Sequence, residues 1–186
     1  MKGNIVVTIC MIIFITTAAL AAAVFLNRLA ADVMMSPGLL LPDYSAPSDR
    51  TVTDDTGHIT VTQKGRRLSV FFDGKKIWRL PAGVYAQDFL LEDIDHDGED
   101  ELLILCWKRG RFGKHKPTWV REDEKDLSQH IFIYEIKDDN VVPKWMASDI
   151  GMDARSWKYA DGAVYIEDTD GNVTGWKWKS WGLEKL

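Results

Sequence analysis

The chain has 186 residues, room for one domain of ordinary size together with an anchor, and its 46% hydrophobic and 27% charged content is that of a folded protein. A formal net charge of −5 argues against nucleic acid as the main partner, since phosphate binding needs a basic surface. Two cysteines exclude a disulfide scaffold and a cysteine-rich zinc site.

Ile5 to Leu26 is an uncharged run of 22 residues. At about 1.5 Å per helical residue it matches the roughly 30 Å hydrocarbon core of a bilayer. Residues 1–35 are therefore expected to form a very short cytoplasmic end and a transmembrane anchor, with Lys2 and the amino terminus favouring an exported C-terminal side. The alternative is a signal peptide cut near Ala19–Ala23, which would make the protein secreted. The apolar run continues past both small-residue sites, which favours retention. Export follows either way.

Residues 36–57 carry Pro37, Pro42 and Pro47 among polar residues, the composition of a linker. From His58 to the C-terminus short apolar runs alternate with turn residues. Asp73-Gly74 separates Leu68–Phe72 from Lys76–Leu80, and Asp-Gly between two such runs signals a hairpin. Asp161-Gly162 and Asp170-Gly171 repeat that grammar, and no 3.6-residue period is sustained. Residues 58–186 are expected to be an all-β extracytoplasmic domain of ten or eleven strands. A faint repeat equates Leu68–Trp78 with Ile131–Trp145, Val84–Glu92 with Ala154–Tyr159, and Glu101–Trp107 with Asn172–Trp178. That gives about two and a half four-stranded units.

Residues 92–101 hold seven carboxylates in ten positions, a density that costs free energy unless a cation neutralises it. Asp93, Asp95 and Asp97 alternate and Gly98 follows, the spacing of an oxygen-ligand calcium loop. An EF-hand does not fit. Its twelfth position falls on Ile104, and the flanking runs have strand length, not helix length.

Asp93-Ile94-Asp95-His96-Asp97-Gly98-Glu99-Asp100-Glu101-Leu102 resembles the D-x-D-x-D-G-x-x-[DE]-L loop of FG-GAP (VCBS-like) repeats, the units of integrin-alpha-type β-propellers. The resemblance spans this loop and its flanks. It implies side-chain ligands from Asp93, Asp95, Asp97 and Glu101, a backbone carbonyl from Glu99, and a structural Ca2+. It also implies blade-like antiparallel sheets. With too few strands for a closed ring, the expected architecture is a partial β-propeller, a sandwich of blade-like units, or a domain completed by self-association.

The remaining features are weaker. Arg109, Arg111 and Lys114 lie in a basic segment that could grip an anionic surface, yet Glu122, Asp123, Glu124 and Asp126 follow to balance it. Trp176 and Trp178 share one strand face, a geometry for a sugar platform and, more commonly, for packing. Cys106, between Leu105 and Trp107, reads as a buried small hydrophobe. No nucleophile elbow, P-loop, zinc-protease helix or dinucleotide fingerprint is present, and no catalytic residue is assigned. The expected function is a membrane-anchored, calcium-stabilised, non-catalytic binding or scaffolding module with a protein or glycan partner. The alternative is a cell-envelope polysaccharide binder or hydrolase.

Overall fold

A computed structural model of the chain describes residues 41–47, 49–111, 118–137, 139–147 and 150–186. The predicted anchor, the first five linker residues and Lys114 lie outside the described residues. Among the described residues no helix is long and apolar enough to cross a membrane. Pro42–Leu186 is one compact unit.

Its twelve described strands form three four-stranded antiparallel sheets. The first contains β1 (Arg50–Thr53), β2 (Ile59–Lys64), β3 (Arg67–Phe72) and β4 (Lys75–Arg79). The second contains β5 (Val84–Glu92), β6 (Glu101–Arg109), β7 (Leu127–Lys137) and β8 (Asn140–Met146). The third contains β9 (Ala154–Ala160), β10 (Ala163–Asp168), β11 (Val173–Lys179) and β12 (Gly182–Lys185). Within each sheet, chain neighbours pair, so each sheet is a meander, and the sheets do not close into a barrel. Tight turns make this possible. Asp73-Gly74 has φ of 47° and 75°, and Asp161-Gly162 has 52° and 71°, the left-handed pairs a two-residue hairpin needs.

The all-β class is as expected, and the unit count needs correcting from two and a half to three. Residues 50–53, assigned to the linker by composition, are edge strand β1, paired from Arg50↔Gln63 to Thr53↔Thr60. The apparent repeat also slips by one strand. By position in its sheet β6 corresponds to β10, not to β11, because Ala163–Asp168 is a full strand that the sequence comparison skipped.

The second sheet lies between the other two. Strand β6 is buried from Glu101 to Trp107, and its side chains alternate between two cores. Leu102, Ile104 and Cys106 meet Val61, Leu68 and Val70 of the first sheet. Leu103 and Leu105 meet Ala154, Trp157, Val164 and Ile166 of the third. Burial on both faces explains the uninterrupted apolar run Leu102–Trp107. The outer face of the first sheet is polar, with Thr51 paired to Thr62 and Thr53 to Thr60 through their hydroxyls.

A buried glutamine chain ties the sheets together. The β5–β6 register shifts between Ala86 and Asp88, so Gln87 is a bulge residue aimed into the joint. Its Oε1 accepts from Trp107 Nε1 at 2.8 Å and Gln129 Nε2 at 2.7 Å. Its Nε2 donates to the Ala154 carbonyl at 3.2 Å, and its own carbonyl accepts from Gln63 Nε2 at 3.0 Å. One residue thereby links all three sheets.

Residues 42–47 and Asp49 are docked. Ser45 is fully buried in a 3-10 turn (Asp43–Ser45), and its Oγ accepts from Arg66 Nη2 at 3.1 Å. Tyr44 lies 6.4 Å from Trp107 between ring centroids, and Asp49 Oδ1 accepts from Gly65 N. These contacts fall where β5 begins and β6 ends, opposite the acidic loop.

Candidate metal centre

The acidic loop joins β5 to β6 and is held from inside. Ile94 is completely buried in the second core, which turns its neighbours Asp93 and Asp95 to the other side. Ile94 N donates to Glu101 Oε2 at 3.1 Å, closing the loop across its base. Asp93 organises the turn: Oδ1 accepts from Asp97 N at 3.1 Å and Oδ2 from Gly98 N at 3.0 Å. Gly98 has φ of 93°, a conformation that favours glycine. Tyr159 of β9 donates its hydroxyl to the Asp93 carbonyl at 2.8 Å, tying the loop to the third sheet.

Asp93, Asp95 and Glu101 each offer an oxygen to a group whose atoms lie within 4.8 Å of one another, so this triad could bind a metal ion. The Asp97 carboxylate, also predicted as a ligand, is exposed and outside that side-chain group, and the expectation for Glu99 concerns its backbone carbonyl. Asp97 Oδ1 instead accepts from Glu99 N at 3.0 Å. Asp95 Oδ1 is buried with no hydrogen-bond partner among the described residues, which leaves one acceptor of the triad open to a cation.

Two further residues complete the site. Lys144 of β8 places Nζ 2.5 Å from Asp95 Oδ2, 2.8 Å from Glu101 Oε1 and 3.3 Å from Glu135 Oε1. The same ammonium sits 5.5 Å from the Trp178 ring centroid. Strand register makes it necessary. Glu92 pairs with Glu101 and Glu101 with Glu135, so three glutamates stand abreast on one face, an arrangement that repels itself. No spacing rule reaches from residue 101 to residue 144, so the sequence motif exposes the acids and hides their counter-ion.

The electrostatics follow. Burial pulls the Lys144 ammonium toward deprotonation, but hydrogen bonds to Asp95 and Glu101 outweigh it and raise its pKa. Burial raises the Glu101 carboxyl, and Lys144 only partly offsets that. Glu92 and Asp100 are raised by burial and then by neighbouring carboxylates, Asp55 among them. The β1–β2 turn therefore adds negative charge to the same end of the domain.

The other candidate residues are dispersed. Trp176 and Trp178 are half-buried and face the second core, with Trp176 Nε1 donating to Thr174 Oγ1 at 2.9 Å. Arg109 Nη1 donates to the Lys125 carbonyl at 2.8 Å, and Arg111 N donates to Asp123 Oδ1 at 2.8 Å. The described part of the basic segment is thus fastened to the acidic stretch that follows it. Cys106 is buried, and burial pushes its thiol far above the ordinary value, which makes it unreactive.

No family model, curated protein or solved structure matches the chain, and the site stands on its own geometry.

Proposed function

We propose that the chain is a single-pass membrane protein whose β domain lies outside the cytoplasm and acts as a non-catalytic binding or scaffolding module stabilised by Ca2+. The observation that carries this reading is the acidic triad gathered in the β5–β6 turn. The docked segment Pro42–Ser45 sits at one end of the strands, and the Asp93–Asp95–Glu101 triad sits at the other. The uncharged run Ile5–Leu26 supports the anchor, and the triad supports the bound ion.

Three successive four-stranded meanders, with the acidic loop in a first-to-second-strand turn, support the blade-like, FG-GAP-type reading of the fold. Asp95 Oδ1, buried and unpartnered, supports the cation. Calcium prefers six to eight oxygens, so carbonyls and water would join the triad, and the ion would share or displace Lys144. The ion's role on this reading is structural.

Thermal unfolding of the full chain in detergent, in excess Ca2+, in Mg2+ and in chelator, tests the metal. Binding to the native state alone raises the midpoint by linkage. A calcium-specific rise that disappears in Asp95→Asn supports the site, and equal midpoints in all three conditions overturn it. A reporter fused after Leu186 tests the topology, which fails if the reporter is active only in the cytoplasm.

A further inference from the structure

A cavity of about 160 Å³ opens at the docked end of the domain, remote from the acidic loop. Its walls include Tyr44, Gln87, Asp88, Arg155, Ser156 and Trp157. Trp157 is buried in the second core, and half-buried Tyr44 is the aromatic ring that could lie against the flat face of a sugar. Asp88 is held in place from two sides: Oδ2 accepts from Trp157 Nε1 at 2.9 Å, and Oδ1 lies 2.9 Å from Arg50 Nη2. Arg50 is itself stacked 4.3 Å over the Phe89 ring. Oδ1 is buried against Arg50, so Oδ2 is the atom left to accept a ligand hydroxyl, without reorganising and with its charge already balanced.

Arg155 differs from Arg50. It is exposed at the same cavity, and its guanidinium makes no hydrogen bond or ion pair among the described residues. A free guanidinium fork matches a carboxylate bidentately. Ser156 borders the cavity, but its Oγ donates to Glu167 Oε2 at 3.0 Å on the outer face of the sheet, so its hydroxyl is no part of the site.

We propose that this cavity binds one hexuronic acid ring, free or as a unit of an acidic polysaccharide. Asp88 Oδ2 accepts a ring hydroxyl, Tyr44 covers the ring's face, and Arg155 takes its carboxylate. The inference rests on the reading of the domain as a binding module and names a glycan as its partner. It moves sugar recognition away from Trp176 and Trp178, whose rings pack inward.

The test is titration of the detergent-solubilised full chain with sodium glucuronate, with methyl glucoside as the neutral control. It is followed by calorimetry and by saturation transfer to the ligand. Glucuronate should bind about tenfold or more tightly than methyl glucoside, the worth of one charge-assisted contact. Arg155→Ala, an exposed change that leaves the cores intact, should remove that preference. Binding of both sugars with equal affinity, or an unchanged preference in Arg155→Ala, overturns the proposal. So does the absence of glucuronate binding by a chain that unfolds cooperatively. None of these results alters the calcium shift or the topology, so the two readings fail separately.

Discussion

Lys144 Nζ lies 2.8 Å from Glu101 Oε1, with side-chain exposures of 10% and 3%, and this pair decides how the acidic loop is neutralised. An ammonium taken from water into such a setting is worth keeping only because Asp95 and Glu135 share it. Removing it strands three carboxylates around a buried point. In chelator, Lys144→Met is expected to cost about 3 kcal/mol, the usual scale for breaking one side of a buried ion pair. In excess Ca2+ the same variant should recover most of that loss, because a divalent ion then meets the carboxylates without competition. Unfolding midpoints of wild type and Lys144→Met in both conditions measure this directly. Equal losses in calcium and in chelator would show that no ion can take the ammonium's place.

The glutamine chain gives the second expectation. Gln87→Leu keeps the volume of the bulge residue but leaves Trp107 Nε1 and Gln129 Nε2 without their shared acceptor. Gln129 still reaches the Ala154 carbonyl at 2.8 Å, so the indole loses more than the amide. Each stranded buried donor costs about 1–3 kcal/mol, which predicts a loss of about 3 kcal/mol overall. For a domain of this size that lowers the unfolding midpoint by about 10 °C. Gln87→Glu is the informative companion. It keeps the acceptor but replaces the Nε2 donor with charge, and it should recover little stability.

The two cores and the loop were legible in the sequence to different degrees. Leu102–Trp107 reads as an apolar run of strand length, and the structure adds that this strand is buried on both faces. Asp73-Gly74 and Asp161-Gly162 announce their hairpins because left-handed φ at two successive positions restricts which residues fit. Strand β1 was hidden because Arg50–Thr53 is half exposed and follows a proline-rich stretch, so its partner strand supplies the order its own pattern lacks. The loop acids were visible through local spacing. Lys144 and Glu135 were not, since their nearness to Glu101 depends on cross-strand register, which a bulge between Ile133 and Tyr134 also adjusts.

The docked segment bears on where the domain begins. Cutting the chain at residue 49 removes Tyr44 from Trp107 and Ser45 from Arg66. A domain starting at residue 41 should therefore melt several degrees above one starting at residue 49, with the same loop and the same calcium response. Ser45→Ala in the longer form should cost about 1 kcal/mol, the net worth of one such hydrogen bond. Identical midpoints for the two starts would show that the segment rests on the surface without stabilising it.

His58 in the β1–β2 turn and Asp73 in the β3–β4 turn make the last expectation, a pH dependence. His58 Nδ1 lies 2.6 Å from Asp73 Oδ1, and that hydrogen bond, reinforced by the carboxylate charge, raises the imidazole above its ordinary value of about 6.5. Because the folded pKa exceeds the unfolded one, protonation favours the folded state. The contribution is complete below about pH 6.5 and is lost as pH rises through the folded midpoint. Both groups are well exposed, at 60% and 61%, so salt screens the effect and it stays small. Following the His58 ring protons by NMR should give a midpoint above 6.5 that returns toward the ordinary value in Asp73→Asn. A midpoint unmoved by that substitution would assign the shift to some group other than Asp73.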